Sequence, residues 1–169
     1  ARLDLNDRIA EAIAKAELDP DKEALLEKLL GQDYEVITAG DRLDKLAEDF
    51  VEHCATRWQC GKSRLVCIDK VTCARMFQRI IPFWKAKLAK VRGYALLKRS
   101  ELESAVEEGR RQALTKEIEW LRGQAQWMES SIIEIIISEA QNEVRDFKKW
   151  DFDIIPHRVV MKNGFQTPD

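Results

Sequence analysis

Two apolar runs of strand length interrupt a chain that otherwise spaces its apolar residues like a helix. Leu65, Val66, Cys67 and Ile68 are consecutive and apolar, and the run stops at Asp69-Lys70. Ile132 to Ile137 behaves the same way and stops at Ser138. A helical pattern follows each run. That grammar predicts parallel strands covered on both faces, with ligands bound at their carboxyl ends. Glu134 lies inside the second run and must find a partner there, because an unpaired buried carboxylate is costly.

The remaining pattern predicts helices. Asn6 caps one running to about Leu18, and Asp19-Pro20 starts another that ends at Gly31. Thr38 and Asp41 resemble a capping pair for a helix whose apolar face holds Leu43, Leu46, Phe50, Val51 and Cys54, closing near Gly61. Val36-Ile-Thr38 reads as a very short strand or as the lead-in to that helix. Asp69 or Thr72 caps the helix carrying Cys73, Met76, Phe77 and Ile80, and Pro82 is expected to kink or interrupt it. Trp84, Leu88, Val91, Ala95, Leu102 and Val106 then keep near-heptad spacing, as do Leu114, Ile118, Leu121, Ala125 and Met128. With a break near Gly93 and a separation near Gly109, they predict an antiparallel helical hairpin. Gln141 to Trp150 reads as helix, and Asp153-Ile-Ile-Pro-His157 as a turn outward.

The expected fold is therefore α/β and helix-rich: an incomplete parallel sheet carrying a long helical hairpin. Four stretches follow: a helical extension over 1–33, the start of a sheet lobe over 34–82, a coiled-coil-like insertion over 83–130, and a continuation of the lobe over 131–169. Both chain ends read as cuts, since Ala1 enters directly into helical pattern and Thr167-Pro-Asp169 stops in mid-loop.

Composition adds little to this, but charge distribution adds something. The 169 residues are 45% hydrophobic and 34% charged, with a net charge of −2, so the chain as a whole carries no nucleic-acid signature. Residues 1–50 hold 14 acidic against 7 basic side chains, whereas residues 85–99 hold 6 basic and no acidic ones. Such asymmetry allows a local phosphate-facing surface on an acidic chain, with Lys85, Lys87 and Lys90 as its candidate residues, though a solvated helix face has the same composition. No apolar run approaches the roughly 20 residues that a membrane span needs. Cys54, Cys60, Cys67 and Cys73 lie six or seven residues apart without a Cys-x-x-Cys pair, so no metal site is expected, and their use fits a reducing cytoplasm.

Most motifs that invite a catalytic reading do not survive inspection. Gly61-Lys62-Ser63 resembles the end of a phosphate loop, but Thr56 stands where the first glycine belongs, and helix precedes strand instead of following it. His53 and His157 lie in no nucleophile or metal pattern. Trp84, Trp120 and Trp127 have the spacing of packing residues. No catalytic residue is assigned. What remains is the pair of strand ends. Lys70 and Thr72 follow one, and Ser138, Gln141, Asn142 and Arg145 follow the other. On one edge of a parallel sheet, these side chains and the backbone amides of two helix starts would hold the phosphates of a nucleic-acid strand. Helix capping alone accounts for the same residues.

Three blocks bear on that choice: Asp41 to His53, Leu65 to Met76, and Ser138 to Trp150. With Asp151-Phe-Asp-Ile-Ile-Pro-His157 and Met161-Lys-Asn-Gly-Phe165 they resemble, in order, the restriction (motor and endonuclease) subunit of type I restriction–modification enzymes. The resemblance covers roughly residues 34–169 and implies the start of the second RecA-like lobe of a superfamily 2 helicase-like motor. Such subunits use ATP and Mg2+ to translocate duplex DNA past methyltransferase and specificity subunits, in the cytoplasm, and then cleave it. The family's phosphate loop, acidic magnesium motif, nuclease carboxylates and arginine-bearing motif have no counterpart here. The chain alone is therefore expected to bind no cofactor and to be catalytically silent. The alternatives are a helical protein-interaction module and the second lobe of a different superfamily 2 translocase.

Overall fold

Five α-helices make up most of the computed structural model, which describes residues 31 and 33–164. They are α1 (Gly40–Thr56), α2 (Lys70–Ser104), α3 (Glu108–Ser130), α4 (Glu143–Lys148) and α5 (Ile155–Asn163), with a single 3-10 turn at Trp58–Cys60. The helices expected over 6–18 and from 19 lie outside the described residues, as does the end of the chain from 165.

The parallel sheet is not there. Among the described residues no strand forms, and the RecA-like α/β expectation is overturned. Both apolar runs do adopt non-helical backbone, but neither is paired in a ladder. Val66 is 82% exposed and Ile136 70%, so these runs are not covered on both faces. In the second run Ile135 is buried and Ile137 half-buried while Ile136 faces out, the alternation of an extended chain covered on one side only. An apolar run encodes a tendency to be extended; the strand beside it has to be supplied from elsewhere in the chain. Residues 33–37, which include Val36 and Ile37 of the possible short strand, are helical.

The chain divides into two units, and each has its own means of cohesion. Within the described residues the first comprises 33–45, 66–78 and 134–164, and the second 46–65 and 79–133. In the first, Val71, Ala74, Ile135, Phe147, Phe152 and Ile154 form a buried core, with Cys73, Phe77, Ile137 and Met161 packed against it. Phe77 meets Phe152 edge-on at 6.0 Å, and Phe152 lies 5.8 Å from Phe147. Such pairs add about 0.5–1.5 kcal/mol beyond the area they bury. The segment around 153 does not turn outward: Phe152 and Ile154 are buried, and Pro156 sits in the first turn of α5, where its missing N–H costs nothing. The helix expected over 141–150 shortens to α4. Asn142 precedes it in the left-handed region, at φ 62°, which Asn tolerates better than most residues.

In the second unit α2 and α3 form the antiparallel hairpin. Leu114, Ile118, Ala125 and Met128 are buried, with Leu121 half-buried. Facing them on α2, Trp84 and Val91 are buried. The indole N–H of Trp84 donates to the carbonyl of Met128 at 2.9 Å, and Lys98 lies 3.6 Å from Glu117. Two expectations fail here: α2 runs on through Gly93, and Val106 is 96% exposed in the connection, outside the seam. Pro82 lies inside α2 without interrupting it. Pro82 forfeits one backbone hydrogen bond, and the packed residues on both sides of it outweigh that loss.

Candidate nucleic-acid interface

Asp69 organises the start of α2. Its Oδ1 accepts the Thr72 N–H at 2.6 Å, and its carbonyl accepts the Cys73 N–H at 3.0 Å, so Asp69, not Thr72, is the cap. Its other oxygen accepts the Tyr34 hydroxyl at 2.5 Å. Thr38, expected to cap α1, instead donates its hydroxyl back to the Tyr34 carbonyl at 2.8 Å. Thr72 is only 4% exposed, and its hydroxyl is buried with no hydrogen-bond partner among the described residues. It does not face a nucleic acid. Lys70, half-buried, lies one residue beyond the cap.

The second group of candidates lies on the turn leading into α4. Ser138, Gln141, Asn142 and Arg145 are all exposed. What shapes this turn is Arg158 of α5, which the sequence did not single out. Its guanidinium donates to both Glu143 oxygens, to the Ile137 carbonyl at 2.6 Å and to the Ser138 carbonyl at 2.9 Å. Both partners of the Arg158–Glu143 pair are largely buried. The bond from Arg158 holds the Glu143 carboxyl below its ordinary range, with the N–H of Ala140 and the positive field of Lys70 acting the same way. Lys70 is thus within electrostatic reach of Glu143. Five of the six residues proposed from the two run ends therefore meet on one unit as exposed or half-exposed side chains, without a sheet to carry them.

The backbone amides fare differently. Thr72 N–H is taken by Asp69, and Ala140 N–H by Glu143 at 3.1 Å. At the start of α2 a carboxylate already fills a place that was expected to receive phosphate, and in the turn before α4 another holds the Ala140 amide. Charge at the rim is also partly balanced, since Arg145 and Lys149 each stand 3.5 Å from Asp146.

Glu134 finds its partner in His157, Nδ1 to Oε2 at 2.5 Å. The imidazole stacks on Phe152 at 5.0 Å and meets Phe77 edge-on at 4.7 Å. Nothing in the spacing of residues 134 and 157 announces this pair, although a carboxylate inside an apolar run announces that some partner exists. Gln78 and Arg75 close the other side: Gln78 donates to the carbonyls of Trp150 and Asp151, and Arg75 lies over the Trp150 ring at 4.7 Å. The depression lined by Ile136, Ile137, Glu139, Arg158, Met161 and Lys162 offers a ligand little, because Arg158 is committed and Lys162 pairs with Glu139 at 3.6 Å.

On the hairpin unit, the basic stretch is less free than its linear sequence indicates. Lys87 donates to both oxygens of Glu52 on α1, at 2.6 and 2.8 Å, and that bond lowers the Glu52 carboxyl below its ordinary range. Arg92 pairs with Glu129, Lys98 with Glu101 and Glu117, and Arg99 with Glu103. Acids from other parts of the unit reach a stretch that contains none of its own. Lys85 and Lys90 are exposed.

Among the described residues no three His, Cys, Asp or Glu side chains gather to hold a metal ion, and no helix is long and apolar enough to cross a membrane. No family model matches this chain, and neither a curated protein nor a solved structure does.

Proposed function

We propose that the chain is a DNA-contacting part of the restriction subunit of a type I restriction–modification enzyme, acting in the cytoplasm. Its partners would be duplex DNA and the methyltransferase and specificity subunits. ATP and Mg2+ would be bound elsewhere in the parent protein, and the chain alone turns over no ATP. One observation carries the reading. The blocks at 65–76 and 138–150, which resemble that family in order, fall on one unit except for Leu65, and their polar ends are Lys70, Ser138, Gln141, Asn142 and Arg145. Hydroxyl, amide and cationic side chains of this kind position a protein on phosphates without reading bases. The fold expected with this family is not part of the proposal.

Binding of the chain to a fluorescent duplex, followed by anisotropy over a series of salt concentrations, tests it. Affinity should fall steeply with salt, and Lys70→Ala and Arg145→Ala should each reduce the slope of log K against log salt by about 0.9. A slope that neither substitution changes would overturn the assignment of these residues. Absence of any salt-dependent binding would leave the second reading, a protein-docking hairpin. That reading rests on Tyr94, Leu96 and Leu97, which are all exposed on α2.

A further inference from the structure

We propose that Trp150 is a stacking platform for one unpaired base of a nucleic-acid strand, whose phosphates lie along Arg145, Lys148 and Lys149. The inference rests on the reading above and deepens it, by naming the form of nucleic acid this unit takes. The chain sets Trp150 apart from its aromatic neighbours. Phe147 and Phe152 are 2% and 6% exposed, whereas Trp150 is 45% exposed. The end of α4 creates this difference. Phe152 N–H returns to the Phe147 carbonyl at 3.2 Å and Asp151 N–H to the Lys148 carbonyl at 3.1 Å. Asp151 lies in the left-handed region, at φ 52°. These two bonds around a left-handed residue make a Schellman motif, and its usual apolar contact is present as Phe147 against Phe152. The motif carries both phenylalanines into the core and leaves Trp150, just past the helix end, facing out.

The exposed ring is also held in place. Trp150 N–H donates to the Phe147 carbonyl at 2.9 Å, and Gln78 of α2 donates to the carbonyls of Trp150 and Asp151 at 3.3 and 3.0 Å. The Arg75 guanidinium lies over one face of the indole, 4.7 Å from the ring centroid. The exposure of the ring therefore belongs to its opposite face and its edge. A base laid on that face completes a stack of base, indole and guanidinium. A platform fixed beforehand loses little freedom when it binds. Bases inside a duplex already stack on both sides, so the ligand has to present an unpaired one, in a single strand, a loop or a frayed end. Charge selects nucleic acid over an uncharged aromatic ligand. Arg145, Lys148 and Lys149 are exposed on the turn that leads to Trp150. Glu143 is matched by Arg158, and these three cations with Arg75 outnumber Asp146 and Asp151. The pairs that Arg145 and Lys149 make with Asp146 lie at the surface, where such pairs contribute little and exchange readily for phosphate.

Three labelled ligands separate the contributions: a short oligothymidylate, an abasic phosphodiester strand of the same length, and a duplex of that length. Anisotropy with the full chain should show the oligothymidylate binding about 5- to 150-fold more tightly than the abasic strand, the range of one stacked base. This ratio is measured on the unaltered chain, so a folding defect can neither produce it nor hide it. Trp150→Ala should erase the ratio and leave the salt slope, which counts phosphates, as it was. Trp150→Phe keeps a π-face and should retain most of the ratio, whereas Trp150→Leu is apolar without one and should not. Equal affinities for the two single strands, or a ratio that survives Trp150→Ala, would overturn the proposal, and salt-dependent duplex binding would still leave the backbone reading standing. Absence of salt-dependent binding to all three ligands would overturn both readings and leave the exposed ring to a protein contact.

Discussion

The hairpin unit and the unit around Asp69 and Arg158 solve the same problem by different means. The hairpin unit repeats one local device, an apolar residue every three or four positions, and adds buried polar tethers from Trp84 to the Met128 carbonyl and from Gln124 to the Ala55 carbonyl. The other unit gathers segments that are distant in sequence around a shared apolar core and ties them further with single polar side chains. Arg158 reaches Glu143 and two carbonyls, His157 reaches Glu134, and Asp69 reaches Tyr34. Redundant apolar contacts spread the consequence of any one loss, whereas a hub concentrates it.

The first way to break this contrast is to find a hub inside the hairpin. Trp84→Ala removes a buried aromatic ring and orphans the Met128 carbonyl, and should destabilise by about 3–5 kcal/mol in urea unfolding. Trp84→Phe keeps most of the ring and should cost about 1–2 kcal/mol, the unmade hydrogen bond alone. Equal losses would mean that the tether, not the packing, holds the hairpin.

Arg158→Met sharpens the other side. It leaves Glu143 largely buried without its main partner, and two carbonyls lose a donor. A cost of about 1–3 kcal/mol is expected, below that of a fully buried pair. The pH dependence identifies the cause. Because the folded Glu143 carboxyl lies below its ordinary value of 4.5, its stabilisation is present above that pH and is lost as the pH falls through the folded value. Arg158→Met should therefore flatten the loss of stability below about pH 4.5 while lowering stability at neutral pH. An acid limb as steep as in the unaltered chain would show that other carboxylates dominate it.

The smallest effect belongs to Glu52→Gln. The Lys87–Glu52 pair has good geometry, but Glu52 is mostly exposed, and such pairs contribute about 0–1 kcal/mol. A loss above that range would make the hairpin unit as dependent on single polar contacts as its counterpart.

The same contrast explains what could be read from the sequence. The hairpin seam from Leu114 to Met128 was legible because helical periodicity is local, as was a helix start at Asp69 or Thr72, between which the structure chooses Asp69. That the two apolar runs interrupt the helices was legible too. Their pairing was not, because a ladder depends on partners elsewhere in the chain, and continuous apolarity was taken to mean cover on both faces. Lys70, Ser138, Gln141, Asn142 and Arg145 are candidates because of their position after those runs, and they lie on one unit without the sheet that motivated the choice. Arg158 was missed because a single arginine carries no spacing signal. The balancing of Lys87, Arg92 and Lys98 was missed because a linear charge count omits acids brought in by folding.

The two oxygens of Asp69 also imply an order of events. The cap to Thr72 spans three residues and can form with the first turn of α2, on the sub-microsecond scale of helix growth. The bond to Tyr34 closes a separation of 35 residues, and must wait until the chain has met that entropic cost. One carboxylate thus belongs to both the earliest local structure and the late closure of the unit. Its loss would slow helix initiation at Lys70, whereas loss of the Tyr34 hydroxyl would mainly speed unfolding.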